Sequence, residues 1–167
     1  MRSTSLLSAA PWFGISAALI VFDQLTKWVV LGYFSGRGPV EPLTPFFNLV
    51  LACNKGAAFS FLADAPGWQT PLFAGFAIVA SVVVGVLIVR HPGKRLFCGA
   101  LALVLGGALG NLIDRLRIGC VVDFLDFHAA GRHWPAFNVA DSAITLGAVA
   151  LILESLLHRE PADARQA

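Results

Sequence analysis

The chain reads as an all-α membrane protein, with four transmembrane helices and a small β-strand platform on one face. Three observations predict this. The 167 residues are 57% hydrophobic and only 13% charged, with a mean hydropathy of +0.74, too little charge to coat a water-soluble domain of this size. Four apolar runs, about 12–31, 71–89, 96–116 and 139–157, each approach the ~20 residues that a helical bilayer crossing needs. Between the first two runs, residues 37–64 carry too much Pro and Gly for a continuous helix.

The first run passes through Asp23-Gln24 to Val30 without an A-x-A-like cleavage site, so it is expected to be a retained helix, not a leader. Asp23 and Lys27 lie four apart on one face of it, where they either pair or let Lys27 snorkel with Asp23 neutralising it. In the 37–64 segment, two short strands turning near Asn54-Lys55-Gly56 fit the composition. Such backbone cannot face lipid unsatisfied, so it belongs on the bilayer surface or across the helix ends, where a strand edge could receive an extended peptide. The third run carries Gly106 and Gly110 at small-xxx-small spacing, then Asn111, Asp114 and Arg115, the last two suggesting a buried structural ion pair. The connection 117–137 leads to the fourth helix, where Asn138 is placed to cap and Asp141 to close a capping box.

Several function classes are excluded. A net charge of +2 without a basic stripe gives nucleic acid nothing to bind. Cys53, Cys98 and Cys120 are odd in number and lack C-x-x-C spacing, so they read as small apolar fillers and indicate neither a disulfide framework nor a zinc site. His128 and His133 near Asp126 match no metal-ligand spacing and are expected to be surface histidines. There is no internal repeat and no room for a separate soluble unit, so residues 1–167 form one domain, with a polar tail from Glu160. Arg90, Lys94 and Arg95 crowd one short loop, and Arg2, Arg159 and Arg165 fall on its side, which places both termini in the cytoplasm; Arg37, Lys55, Arg117 and Arg132 make the bias modest.

The chemistry gathers at the opposite face. Asp123, Asp126 and Asp141 lie close together in sequence at the bilayer surface, where carboxylates are costly and usually functional. Two carboxyls at close range cannot both ionise cheaply, so one can take a proton from water while the other donates to a carbonyl, and a peptide bond can be cut without metal or covalent intermediate. H-E-x-x-H, G-x-S-x-G and Gly-x-Gly-Asp are all missing from the sequence. On the residues alone a peptidase, a small transporter and a scaffold built on the glycine faces all stand, although a transporter would place its polar groups at mid-membrane.

Five short stretches in order carry a closer resemblance: Asp23-Gln24-Leu-Thr-Lys27, Asn54-Lys-Gly56-Ala-Ala-Phe-Ser60, Gly106-Gly-Ala-Leu-Gly110-Asn111-Leu-Ile-Asp114-Arg115, Val121-Val-Asp123-Phe124, and Phe137-Asn138-Val-Ala-Asp141-Ser-Ala-Ile144. Together they resemble bacterial lipoprotein signal peptidases (signal peptidase II). The resemblance implies an inner-membrane aspartyl endopeptidase that cuts prolipoproteins on the amino side of a diacylglyceryl-modified cysteine, with its strand platform on the periplasmic face. It implies Asp123 and Asp141 as the catalytic pair and a supporting role for Asp23, Lys27, Asn54, Gly56, Asn111, Asp114, Arg115 and Asn138. Asp126 matches no catalytic position. The resemblance further implies no cofactor or metal, partners limited to lipid-modified prolipoproteins and membrane lipids, a monomer, and inhibition by globomycin-type cyclic peptides.

Overall fold

A computed structural model of the protein describes residues 2–56 and 67–157, with side chains from residue 6 onward. The second half of the Asn54–Ser60 stretch and the tail from residue 158 lie outside the described residues. The element order is α1 (Arg2–Tyr33), β1 (Val40–Thr44), β2 (Phe47–Asn54), α2 (Gln69–Arg90), α3 (Arg95–Ile118), β3 (Val121–Ala129), β4 (Arg132–His133) and α4 (Val139–Leu157). All four helices are long and apolar enough to cross a membrane. Their outward faces expose large apolar side chains such as Phe76, Val79 and Val82 of α2 and Leu146, Ile152 and Leu156 of α4, as lipid contact demands. The protein is a multi-pass membrane protein.

The core sits around α3, which packs against the other three helices and is by far the most buried of the four. Its glycines let this happen. A Cβ on Gly106 would lie 2.7 Å from the Leu19 side chain of α1, and one on Gly107 would overlap the Ala140 carbonyl of α4. Without a hydrophobic force between helices in lipid, such backbone proximity and the dispersion it permits hold the bundle together. Gly107→Val should therefore wedge α3 from α4. Overpacking of this kind costs about 1–3 kcal/mol, so a drop in Tm of roughly 5 °C in detergent, with cleavage falling as well, is the expected result; an unchanged Tm would show that the helices are not seated on each other here.

The platform is a single four-stranded antiparallel sheet in the order β1-β2-β3-β4. Its first hairpin turns at Pro45-Phe46, between β1 and β2, and not near Asn54-Lys55-Gly56 as expected from sequence. Pro45 has no N–H to give a ladder and its ring presets a turn. The Asn54-Lys55-Gly56 stretch is indeed a turn, but one that leaves the sheet: Gly56 N–H donates to Asn54 Oδ1 at 2.9 Å, an Asx turn.

The reading of the cysteines needs correction. Cys53 near the end of β2 and Cys120 just before β3 form a disulfide, with Cα atoms 5.5 Å apart and positions 67 apart in sequence. Pairing of β2 with β3 brings them together, a long-range event that counting and local spacing could not reveal. Cys98 alone is the buried filler expected, its thiol donating to the His91 carbonyl.

Candidate active site

Five elements bring the predicted residues to one end of the bundle: α1, the inner strands β2 and β3 of the sheet, the C-terminal turns of α3, and the first turn of α4. Asp123 lies on β3 and is 2% exposed. Asp141 lies in the first turn of α4, where the expected capping box is present: Asp141 N–H donates to Asn138 Oδ1 at 2.9 Å, and Asn138 N–H reaches Asp141 Oδ2 at 3.3 Å.

Each oxygen of the two carboxyls accepts one N–H. Asn138 Nδ2 donates to Asp123 Oδ1 at 2.7 Å, and Asn54 Nδ2 to Asp123 Oδ2 at 3.0 Å. Asn111 Nδ2 donates to Asp141 Oδ1 at 2.7 Å, and the Asn138 N–H supplies the fourth bond. Chemistry dictates which way the amides face. Lys27 can only donate, so Asn111 must turn its Oδ1 toward Lys27 Nζ, 3.0 Å away, which leaves its NH₂ for Asp141. Likewise Asn138 Oδ1 is taken by the Asp141 N–H, which leaves its Nδ2 for Asp123 and, at 3.2 Å, for Asn111 Oδ1.

Beneath the pair lies a buried ionic cluster. Lys27 Nζ sits 2.8 Å from both Asp23 Oδ2 and Asp114 Oδ2, so with Asn111 all three of its protons have acceptors. Asp23 and Lys27 pair as one of the two sequence readings held, and at 2% exposure Lys27 does not snorkel. Asp114 and Arg115, by contrast, do not serve each other. Adjacent helical residues point about 100° apart, so Asp114 faces Lys27 and the Val122 N–H (3.1 Å), while Arg115 Nη2 donates to the Gly56 carbonyl at 2.9 Å and its guanidinium lies over the Phe73 ring. Asp23 also accepts the Ala140 N–H at 2.9 Å, tying α1 to the start of α4. One residue of this cluster was missed: Gln24, whose Nε2 donates to Asp114 Oδ1 (2.9 Å) and the Gly110 carbonyl (3.1 Å). A primary amide inside an apolar helix, next to Asp23, was the available signal.

Burial pushes the Asp123 carboxyl up to about 7, and the negative charge of Asp141 adds to this; the Asn54 and Asn138 donors and the charge of Lys27 pull the other way. Asp126 behaves differently. Burial acts to raise it, but hydrogen bonds from His133 Nδ1 (2.9 Å) and Asn48 Nδ2 (2.8 Å) outweigh that and hold it below the ordinary carboxylate range. It belongs to a separate group on the sheet with the exposed His133 and the half-buried His128 stacked on it. No His, Cys, Asp and Glu cluster suited to a metal occurs among the described residues.

A cavity of about 650 Å³ opens beside Asp141, lined by Asn54, Ala77 of α2, Ala108 and Arg115 of α3, Ile144 of α4 and the Trp134–Phe137 segment. A buried and a half-buried carboxyl among amide donors, at one end of a membrane bundle and beside a mostly apolar cavity, form an arrangement capable of the acid–base chemistry of an aspartic peptidase.

Comparison with known proteins agrees. The sequence pattern of the family described as signal peptidase (SPase) II matches residues 15–157. The chain is similar to the lipoprotein signal peptidases of Paraburkholderia phytofirmans (57% identity, covering 89% of this chain and 86% of the relative) and of Burkholderia mallei (59%, 88% and 88%). Its fold is similar to that of a bacterial membrane enzyme solved by the in meso method at 2.3 Å resolution, with a TM-score of 0.73 and 28% identity over 95% of this chain and 94% of that one. The chain belongs to the signal peptidase II family, peptidases that cleave signal peptides from lipoprotein precursors.

Proposed function

We propose that Asp123 and Asp141 are the catalytic pair, and that the bond they cut lies on the amino side of a cysteine already carrying diacylglyceryl. The observation that carries this reading is the set of four N–H donors that hold the two carboxyls, with Asp141 and the donors Asn54 and Asn111 lining one cavity. Asp123, with its carboxyl pushed up to about 7, keeps its proton near neutrality and donates it to the scissile carbonyl oxygen. Asp141 takes a proton from the attacking water, whose oxygen bonds the carbonyl carbon to give a tetrahedral diol. Collapse breaks the C–N bond as the proton passes to the leaving amine. Arg115, by fixing the Gly56 carbonyl, sets the turn through which the substrate strand passes Asn54.

Apolar lining supports a lipidated substrate. The cavity wall runs from Ala77 of α2 to Ile144 and Leu146 of α4, two helices that flank α3 without close packing on each other, and their separation offers acyl chains a sideways path from the bilayer. A cavity of this size suits a globomycin-type cyclic peptide as inhibitor. The placement of the pair at the periplasmic face of the inner membrane, with both termini cytoplasmic, is supported by the Arg90–Arg95 loop and by the disulfide at the opposite end, since disulfides persist on the oxidising side.

The test uses purified protein in liposomes with a precursor peptide, with and without diacylglyceryl on its cysteine. Cleavage of the lipidated peptide alone, before the cysteine, is expected; equal cleavage of both would remove the lipid from the specificity. A reporter fused within residues 91–94 should read as cytoplasmic and one at Gly131 as periplasmic, and the reverse would put the carboxyls on the wrong face.

A further inference from the structure

The disulfide stands directly beside the carboxyl pair. Cys53 immediately precedes Asn54, the donor to Asp123 Oδ2, and Cys120 immediately precedes Val121, the register partner of Asn54. The β2–β3 ladder leading here is broken: its register shifts between Leu49 and Ala52, and the Leu51 N–H is spent on the Pro39 carbonyl. Beyond that break, Ala52, Cys53 and Asn54 resume the ladder with Asp123, Val122 and Val121, and the covalent bond closes its end. Cys120 is itself anchored. It is 4% exposed, follows the left-handed Gly119 that ends α3, and the Gly119 carbonyl accepts from Thr70 Oγ1 of α2 at 3.0 Å.

We propose that the Cys53–Cys120 disulfide is a positioning element for catalysis, holding the Asn54 amide on Asp123 at the end of β2, beyond the break in its ladder. The proposal rests on the reading of Asp123 as catalytic. The charged groups around Asp123 are Asp141 from α4, Lys27 from α1, and Arg115 with its neighbour Asp114 from α3. Asp141 and Lys27, the two charges that act on the Asp123 carboxyl, sit on helices, while Arg115 reaches the Gly56 carbonyl just beyond β2, so opening the disulfide changes the Asn54 donor and leaves the Asp141 and Lys27 charges in place. Loss of a donor that favours the carboxylate moves the acid upward in pH.

The experiment uses the full-length Cys98→Ala protein in liposomes and a synthetic lipopeptide containing diacylglyceryl-cysteine. A non-reducing peptide map should join the peptides of Cys53 and Cys120; free thiols at both would overturn the proposal. Cys53 is exposed, which opens the bond to a water-soluble phosphine that supplies two electrons, breaks the S–S bond with uptake of two protons, and leaves as its oxide. Reduction, or Cys53→Ala with Cys120→Ala, should lower kcat about tenfold, the equivalent of one lost hydrogen bond in the transition state. It should also shift the alkaline limb of the pH profile upward, and reoxidation should restore both. Asn54→Ala should slow the oxidised enzyme and add almost nothing once the disulfide is gone. Unchanged kcat, or a loss with an unmoved limb and a fully additive Asn54→Ala effect, would make the bond a plain staple and sink the idea. The infrared band of protonated Asp123, identified by its disappearance in Asp123→Asn, reads the same shift without turnover. If the lipopeptide is not cut at all, the functional reading fails, while the band still decides the role of the disulfide.

Discussion

Asp123→Asn and Asp141→Asn should each reduce cleavage of a lipidated precursor by several hundredfold or more, with protein level and membrane insertion unchanged. An amide keeps the size and some of the hydrogen bonds of either side chain but cannot pass a proton, and general acid–base groups contribute about 10²–10⁴-fold. Because the two act as a unit, the double variant should be hardly worse than either single one. Asp126→Asn is the control: its partners are His133 and Asn48, away from the pair, and cleavage should persist. Stability gives a second readout. The folded state holds the Asp123 carboxyl above its ordinary 3.8, at about 7, so between those values it binds a proton that the unfolded chain has released, and stability falls as pH rises through that window. Asp123→Asn removes the effect. The inactive variant should melt higher than the parent at pH 8 and nearly equal to it near pH 4, with ~2–4 °C for each kcal/mol recovered. A variant that cleaves normally would leave that residue as a structural group only, and for Asp141 simply a helix cap.

Lys27→Met should be the most damaging single change to the structure. Removing the ammonium leaves Asp23 and Asp114 buried, both with negative charge and no cation between them. Breaking a buried ion pair this way costs about 3–5 kcal/mol, so Tm should fall by roughly 10 °C or more in a chain of this length. The same change frees the Asn111 amide to flip, because the donor that fixed its oxygen is gone, and Asp141 then loses an N–H. Cleavage by the surviving folded fraction should drop more than tenfold. Combining Lys27→Met with Asp114→Asn should recover part of the stability and little of the activity. A Tm within 2 °C of the parent would show that the cluster carries no net charge to balance.

What could be read in advance follows from the range of each interaction. The four helices were legible because a bilayer crossing is a local property of ~20 consecutive residues, and α2 to α4 agree with the apolar runs. For α1 the helix continues back through Pro11, well before the run starting at residue 12. The capping box of Asn138 and Asp141 and the Asp23–Lys27 pair are also local, three and four residues apart, and both are present. What escaped was tertiary. The Asn54-Lys55-Gly56 signal marked a real turn, but only strand pairing says which turn makes the hairpin. Asp114 and Arg115 looked like partners because they are neighbours in sequence, whereas the helix sends them to Lys27 and to Gly56. The disulfide spans 67 residues and had no local mark. Of the site, the identities of the carboxyls came through the five resembling stretches; the amide orientations that distinguish one aspartate from the other depend on Lys27, 84 residues away from Asn111.

The contact between Asp23 and Lys27 also bears on how the protein is made. Asp23 meets the Ala140 N–H across 117 residues, and at ~5–20 residues per second of synthesis its helix waits on the order of ten seconds for that partner. Lone charges in a nascent segment oppose its partition into lipid. Spaced one helical turn apart, Asp23 and Lys27 cancel each other within α1 itself, so the segment can enter the bilayer as a neutral unit and hold its charges ready until the last helix arrives.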